Sequence, residues 1–184
     1  MNKNDKRYLQ TELSIRENYI KLVKTRPSHI LTVSKLCKAA KINRSSFYLH
    51  YKDVNDLHSI LEDESINFIN KTFSQYSFNG CFHQLIDHLF ENFLEEPLLI
   101  DFLLNISTDA KNALITYSKE VTIKECEKKS SLTVQEAAIV YEYLVGGMIA
   151  VLKDWQDHDF QIPEKYKELF FYLSTEGLHH FLYK

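Results

Sequence analysis

The sequence is poor in the residues that build tight turns, with only four glycines and three prolines among 184 residues. An all-β protein needs many such turns, so this scarcity argues against that class. The chain is 45% hydrophobic and 13% aromatic, which is too apolar for a disordered protein and sufficient for a buried core. These numbers favour a globular, all-α protein.

Cysteine is also scarce, and its spacing fits neither a disulfide framework nor a zinc site. Cys37, Cys81 and Cys126 are odd in number and form no C-x-x-C pair. The N-terminal stretch MNKNDKRYLQTELS lacks the apolar run of a signal peptide, and the longest apolar segment is shorter than the roughly 18 residues of a membrane span. We therefore predict reduced thiols and a cytoplasmic protein.

The motifs of common catalytic sites are missing as well. The chain has no phosphate-binding glycine loop, no H-E-x-x-H and no nucleophile elbow. His83 and His88 are five residues apart and do not share a helical face, and the adjacent His179 and His180 point in different directions. We predict no catalytic residues, no metal and no cofactor, although an enzyme is not formally excluded.

Charge is strongly segregated along the chain. Residues 1–52 contain eight lysines and four arginines against three acids, a net charge of +9. Residues 53–184 contain ten basic and 22 acidic residues, a net charge of −12. Either the first segment alone meets a polyanion, or two solvated surfaces happen to differ in sign.

Apolar periodicity and capping residues predict four helices in the first 75 residues. The first spans Lys6 to Lys24, and Thr32 is placed to cap a second over residues 33–40. After a short turn, Asn43 is placed to cap a third helix that runs from Arg44 to about His50. Asp53 then opens a long fourth helix that fades near the sequence YSFNG.

Further apolar patterns bring the predicted total to about nine helices. Helices are predicted from Phe82 to Leu94, through LLIDFLLNI after Pro97, and over residues 110–121. The eighth begins at a capping box, Thr133-x-x-Glu136, and reaches Trp155. The ninth begins at Pro163, with Tyr166, Leu169, Phe170, Leu173 and Phe181 on one face.

The eighth and ninth helices are apolar on both faces, and one small subunit has too little protein to cover them. A second copy would cover them, as a four-helix bundle across a two-fold axis. Gly146 and Gly147 would let backbones approach closely there, or would instead accommodate a bulky neighbour within one subunit. The candidate dimerisation residues are Tyr143, Gly146, Gly147, Ala150, Phe171 and Tyr172.

Residues 33–50 have the dimensions of a helix-turn-helix braced by the first helix. A helix that reads base edges in the major groove needs short polar or charged residues at its N-terminal end, and Arg44, Ser45 and Ser46 meet that need. Phe47 and Ile42 would hold the helix to its scaffold.

Backbone contacts would supply affinity rather than specificity. Tyr48, Tyr51, Lys52 and the Thr32 hydroxyl are placed to touch phosphates, although Tyr51 is better suited to packing. An N-terminal arm with Lys3, Lys6 and Arg7 would add further contacts. His50 near the helix end is equally suited to packing, capping or contact.

The stretch LTVSKLCKAAKINRSSFYLHYKDVNDL, residues 31–57, resembles the DNA-binding domain of the TetR (tetracycline-repressor) family of bacterial regulators. The resemblance covers roughly residues 8–61, and FYLHY followed by Asp56-Leu57 is its most specific part. It implies a helix-turn-helix domain over residues 1–52 and a helical effector-binding and dimerisation domain over residues 53–184. It places Arg44, Ser45, Ser46 and Leu49 at base-reading positions, and Thr32, Tyr48, His50 and Lys52 at phosphate-contacting positions.

Two residues depart from the pattern of that family. Lys41 stands where many members have glycine, so it either adopts a left-handed conformation or belongs to a different turn. Val54 stands where a phosphate-contacting lysine is common, and Lys52 is placed to compensate.

The resemblance further implies a homodimer that binds a palindromic DNA operator, with two reading helices about 34–36 Å apart. We expect a repressor that is released from its operator by an apolar or aromatic small molecule. The ligand would act through its different affinities for two arrangements of the protomers. The alternative is a regulator, possibly an activator, controlled by a protein partner. The candidate ligand-binding residues are Phe68, Phe90, Phe93, Phe102, Tyr117 and Tyr141.

Overall fold

The structure is a computed structural model that describes residues 6–25, 31–74, 91–129, 132–158 and 163–173, apart from positions 93, 167 and 171. Seven helices have defined bounds: α1 Lys6–Thr25, α2 Val33–Ala39, α3 Arg44–Tyr48, α4 Val54–Ser74, α5 Pro97–Asn105, α6 Thr108–Lys129 and α7 Val134–Asp157. Residues 91–92, 94–95, 164–166, 168–170 and 172–173 are helical too. No strand occurs in these ranges, and the predicted all-α fold is confirmed.

The helix boundaries follow the local signals in the sequence closely. α3 is shorter than predicted and ends at Tyr48 instead of near His50. The predicted helix from Phe82 to Leu94 lies mostly outside the described residues, as do Phe90, Phe93 and the end of the ninth helix with Phe181. The four histidines weighed as metal ligands also lie outside them.

Two compact units make up the chain. The first comprises Met1–Ser65 and Leu98–Ala110, and the second comprises Ile66–Pro97 and Lys111–Lys184. The division falls inside α4 and inside α6, so both helices contribute to both units. The domain boundary predicted from the sequence, after residue 52, separates a DNA-binding function from an effector-binding function. It remains a prediction.

The first unit is built around a buried core to which α1, α2, α3, α4 and α5 contribute. Ile15 and Tyr19 of α1 meet Phe47 of α3 and Leu57 of α4, and each is at most 1% exposed. Each such side chain stabilises the fold by about 1.5–3 kcal/mol through loss of apolar surface to water. Phe102 of α5 is part of the same cluster, so the apolar segment after Pro97 contributes to the core of the first unit.

The second unit has a buried stripe along α7, formed by Ala137, Tyr141, Met148, Leu152 and Trp155. The Tyr141 hydroxyl lies 2.7 Å from the Ser118 hydroxyl and donates to the Ile115 carbonyl at 2.8 Å, which ties α7 to α6. These hydrogen bonds satisfy a phenol group that would be costly to bury alone.

The opposite side of α7 is open to water in a single chain. Ile139 and Tyr143 are 70% and 73% exposed, and Gly146, Gly147 and Ala150 are exposed beside them. Among the described residues, no atom lies within 4 Å of a Cβ atom added at either glycine, so the glycines accommodate no bulky neighbour from that part of the chain. Near the C-terminus, Phe170 packs against Trp155, whereas Tyr166, Leu169, Tyr172 and Leu173 are all more than half exposed.

α7 is also the one helix in the described part of the chain that is long and apolar enough to cross a membrane. The core helix of a soluble protein can have the same length and composition. Hydropathy alone therefore gives only weak support for membrane insertion.

Candidate nucleic-acid interface

α2 and α3 are joined by a short turn and are each fixed at the N-terminal end by a side-chain cap. The Thr32 hydroxyl accepts a hydrogen bond from the Lys35 amide at 3.4 Å. The Asn43 side-chain oxygen accepts from the Ser46 amide at 2.7 Å. Both predicted caps are present, and the Asn43 cap orients a helix of only five residues, which propensity alone could not stabilise.

The turn itself is a Schellman motif with a lysine at its left-handed position. The Ile42 amide donates to the Cys37 carbonyl at 3.0 Å, and the Lys41 amide donates to the Lys38 carbonyl at 3.4 Å. Lys41 has φ of 55°, the one positive φ at a non-glycine residue in the described ranges. Glycine is usual at this position, and a side chain there costs about 1–2 kcal/mol.

The inner side of the helix-turn-helix is anchored by buried apolar groups. Phe47 is fully buried, Leu36 and Cys37 are buried beside it, and Ile42 is half-buried against the same cluster. Tyr51 is also buried, with its ring centroid 5.8 Å from that of Phe47. The preference for Tyr51 as a packing residue therefore agrees with its position.

The outer side presents nearly all the predicted contact residues to solvent. Arg44 and Ser45 are exposed at the first turn of α3, and Ser46 is half-buried behind them. Tyr48 and Leu49 are 55% and 56% exposed at its C-terminal end. Lys52 and Thr32 are exposed as well, so all of these predicted contact residues except the half-buried Ser46 are open to solvent.

His50 differs from its neighbours because its ring is half-buried. The ring stacks on Tyr8 of α1 with centroids 3.9 Å apart, and its Nδ1 atom has no hydrogen-bond partner among the described residues. Burial lowers the pKa of His50, and the Arg16 guanidinium lowers it further against an opposing effect of Glu12. At neutral pH, His50 is therefore uncharged in this arrangement.

The charged residues of the helix-turn-helix segment, residues 18–52, are all basic. No acidic residue occurs between Glu17 and Asp53. Within the described parts of the chain, no acid forms an ion pair with the exposed cations of this region, and each of these side chains is free to meet an external anion. They are Lys35, Lys38, Lys41, Arg44 and Lys52.

The start of α4 follows Lys52, the last of the candidate contact residues in the sequence. The Asp53 carboxylate accepts from the Asp56 amide and the Asp56 carboxylate accepts from the Lys52 amide, each at 2.8 Å. These reciprocal bonds fix the backbone at Lys52 and leave its side chain free. Val54 is buried in the core and contributes no contact.

A polar cluster that sequence reasoning missed joins α1 to α4 and to the end of the helix-turn-helix. The two terminal nitrogens of Arg16, Nη1 and Nη2, donate to the Glu64 carboxylate at 2.5 and 2.9 Å. The Nε of Arg16 donates to the Tyr51 hydroxyl at 2.9 Å. Glu12 accepts from Arg16 at 2.8 Å. We call Glu12, Arg16, Tyr51 and Glu64 the Arg16 cluster.

The pKa values in the Arg16 cluster reflect its partial burial. Burial alone would lower the pKa of Arg16, but hydrogen bonds to Glu64 and Tyr51 raise it above its ordinary value. Burial also raises the pKa of Tyr51, against the opposing effect of Arg16. Arg16 is thus charged and Tyr51 neutral at any physiological pH. The Glu12–Arg16 spacing of four was a visible signal, whereas no local pattern points to Glu64.

A second polar connection links α1, α4 and the start of α6. The Tyr19 hydroxyl lies 2.6 Å from Nδ1 of His58, and the Ser107 hydroxyl donates to Glu62, one turn further along α4. Burial, reinforced by Glu62, raises the pKa of Tyr19 to about 12. This connection was also missed, since its members are far apart in sequence.

The candidate ligand-binding residues do not all lie in one unit. Phe102 belongs to the core of the first unit, where its ring meets that of His58 at a centroid distance of 5.2 Å. Phe68, Tyr117 and Tyr141 belong to the second unit, in which Tyr117 stacks against Phe73 at 5.3 Å. Tyr141 is buried and hydrogen-bonded. A ligand site remains a prediction, and no group of side chains in the described ranges suits a metal ion.

Comparison with solved structures identifies the fold. The chain is similar to the fatty acid degradation regulator FadR from Bacillus halodurans, with 16% identity, a TM-score of 0.55, and coverage of 82% of this chain and 90% of that one. It is similar to FadR from Bacillus subtilis, solved in complex with stearoyl-CoA, with 14% identity, a TM-score of 0.56, and coverage of 91% and 100%.

A third similar structure is a putative TetR family transcription regulator from Shewanella sp. PV-4, with 13% identity, a TM-score of 0.53, and coverage of 91% of this chain and 95% of that one. No family profile matches the chain, and no curated protein matches it in sequence. At these identities the likeness establishes the fold: the chain has the all-helical fold of TetR-type transcription regulators.

Proposed function

We propose that the protein is a DNA-binding transcription regulator of the TetR type. The observation that carries this proposal is a short capped helix, anchored by Phe47 and exposing Arg44 and Ser45, within a segment, residues 18–52, that contains no acidic residue. Arg44 can donate two hydrogen bonds to guanine O6 and N7, and the surrounding lysines can neutralise phosphates. The fold shared with transcription regulators supports the same proposal.

The experiment is a binding titration by fluorescence anisotropy. Purified protein is tested at several salt concentrations against duplexes that tile its own promoter region, with a shuffled duplex of equal length and composition as the control. We expect one promoter duplex to bind at least about 10³-fold more tightly than the shuffled duplex at physiological salt. Equal binding to every duplex at low salt would reject a sequence-specific regulator.

We propose a homodimer as the active form. Two groups of apolar side chains are exposed to water: Ile139 and Tyr143 on the open side of α7, and Tyr166, Leu169, Tyr172 and Leu173 near the C-terminus. Soluble proteins usually cover such a surface, and a second copy of the same chain would do so. Residues 1–52 would then act as the DNA-binding domain and residues 53–184 as the dimerisation and effector-binding domain.

The proposed mode of regulation is repression relieved by a small apolar molecule. The second unit is rich in aromatic and aliphatic side chains, and one structure of the same fold was solved with stearoyl-CoA. Long-chain acyl-CoA is therefore the first probe, added to the preformed DNA complex with coenzyme A alone as the control. Release of DNA by the acyl form only would support an apolar effector.

A regulator controlled by a protein partner, or acting as an activator, is the second candidate. The same apolar surface near the C-terminus favours it, because that surface suits a foreign helix as well as a second copy. A monomeric protein that co-purifies with one stoichiometric partner would favour this candidate. In either case we propose a cytoplasmic protein that is not an enzyme.

A further inference from the structure

The Schellman motif requires a left-handed residue at position 41, but it does not explain why that residue, Lys41, is a lysine. Its backbone is left-handed, with φ of 55°, at the position of the Schellman motif where glycine would be free of strain. Its side chain is exposed, so no packing is gained from it. Strained residues persist where a further requirement fixes them, and they concentrate at functional sites.

No group in the described ranges of the chain uses the Lys41 ammonium. It forms no ion pair there, and the nearest acids in sequence are Glu17 and Asp53. The structure therefore holds the charge in a costly backbone conformation without an internal partner. In the free protein the ammonium is solvated by water, and an external anion would take the place of that water.

The position of Lys41 relative to α3 identifies that anion. Lys41 lies three residues before Arg44, so their Cα atoms are at most about 10 Å apart. The major groove is about 12 Å wide and is bordered by phosphates on both sides. A lysine on a flexible four-carbon stem, beside a helix end that enters the groove, is within reach of that border.

We propose that Lys41 binds a DNA phosphate next to the groove that α3 enters, and that its side chain is kept in the turn for this contact. The proposal rests on the proposed function. Lys41 would also replace the phosphate contact that is missing at position 54, where Val54 is buried and the start of α4 carries no cation. Lys41 and Lys52 then contact the backbone on either side of α3.

Four variants separate the charge of Lys41 from its backbone strain. Lys41→Gly removes both, Lys41→Gln removes the charge and keeps the strain, and Lys41→Arg keeps both. Lys21→Gln removes a matched exposed lysine from α1, outside the turn. Each is measured for thermal unfolding and for binding to the promoter duplex and the shuffled duplex between about 50 and 200 mM salt.

We expect Lys41→Gly to raise the Tm by about 2–4 °C while weakening binding to both duplexes. Lys41→Gln should weaken binding equally without raising the Tm. In both, affinity at about 0.1 M salt should fall roughly fivefold to tenfold, and the slope of log K against log salt should decrease by about 0.9. Lys41→Arg and Lys21→Gln should bind as the wild type does.

The outcomes are distinguishable. Wild-type affinity and salt slope in Lys41→Gln would overturn the proposal and leave the DNA-binding function intact. A loss of DNA affinity in Lys41→Gly alone would assign the effect to the backbone conformation, and this result would also overturn the proposal. A loss confined to the promoter duplex would make Lys41 a base contact instead. Absence of DNA binding in the wild type would reject the proposed function itself.

Discussion

Arg44 and Lys52 carry the same charge but stand at different places on the proposed interface. Arg44 is exposed at the first turn of α3, and Lys52 follows α3 with its amide held by Asp56. We predict that Arg44→Ala relaxes discrimination at one operator position by about 1–3 kcal/mol. Lys52→Ala leaves the hydrogen bond from the backbone amide to Asp56 intact. It should weaken binding to all DNA sequences and reduce the slope of log K against log salt by about 0.9.

The measurement is a set of anisotropy titrations on the operator, on single-base variants of it and on shuffled DNA. Lys21→Ala, in α1, serves as the control for loss of an exposed cation. If both variants lost the same factor on operator and shuffled DNA, the division between base contact and phosphate contact would be wrong.

His50 gives the fold a predictable response to acid. Its pKa is lowered in the folded chain, so below the ordinary histidine pKa of about 6.5 the unfolded chain binds more protons. Stability should therefore fall as pH drops through about 6.5 and stop falling below the lowered pKa. We predict that His50→Asn reduces the fall in the urea midpoint between about pH 7.5 and 5.5.

His158 provides a control of opposite sign. The Asp154 carbonyl, which accepts a hydrogen bond from the ring, raises the pKa of His158, so its protonation favours the folded chain. His158→Asn should leave the fall in the urea midpoint at acid pH unchanged or make it slightly larger. An acid loss that is the same in wild type and His50→Asn would contradict the role given to His50.

At the scale of elements, the Arg16 cluster holds α1, α4 and the end of the helix-turn-helix together. Arg16 is 19% exposed, and its partners leave it no unsatisfied charge. We predict that Arg16→Met lowers the free energy of unfolding by about 1–2 kcal/mol, after allowance for solvent screening at Glu64. Urea unfolding measures this, with Lys21→Met as the matched control.

A double-mutant cycle tests whether the cluster acts as a unit. Tyr51→Phe removes the hydroxyl that accepts from Nε of Arg16. If the two groups stabilise each other, the losses of Arg16→Met and Tyr51→Phe should fall short of additivity by at least about 0.5 kcal/mol. Strict additivity would show that Arg16 stabilises the fold through its carboxylate partners Glu12 and Glu64 and not through Tyr51.

The elements of the helix-turn-helix were predictable because their signals are local. Thr32 and Asn43 cap the helices that follow them, and the turn between them is short enough to fix their angle. The same holds for the capping box at Thr133 and Glu136. Caps and turns depend on residues within four positions, which a single sequence displays in full.

What the sequence did not reveal depends on distant partners. Periodicity shows that a helix has an apolar face, but not which element covers it, so the place of Phe102 in the first core was not foreseen. Leu9 and Leu13 continue the apolar pattern of α1, yet they are about half exposed because nothing in the described chain covers that end. Glu64 was missed for the same reason.

At the scale of the whole molecule, the exposed side of α7 decides between a monomer and a dimer. Tyr143 is exposed in one chain, so Tyr143→Glu should leave the stability of a monomer nearly unchanged. If α7 forms the proposed interface, the buried charge should shift a dimer to monomer in sedimentation velocity and weaken operator binding at least tenfold.

Gln135→Glu adds the same charge to an exposed polar position of α7 and serves as the control. It should leave both the sedimentation coefficient and the affinity unchanged. A wild-type protein that sediments as a monomer at micromolar concentration would contradict the dimer, and the apolar side of α7 would then belong to a foreign partner.

In the proposed regulator, the length of α3 sets a limit on how much sequence information one subunit can read. Five residues span about 7.5 Å along the helix axis, which matches roughly two base pairs at about 3.4 Å each. Each base pair that is read fully supplies at most about 2 bits, because the major groove distinguishes four possibilities. Selecting one address among about 10⁶ competing sites requires about 20 bits. A regulator with so short a reading helix must therefore combine two helices and the shape of the intervening DNA, or control many sites at once.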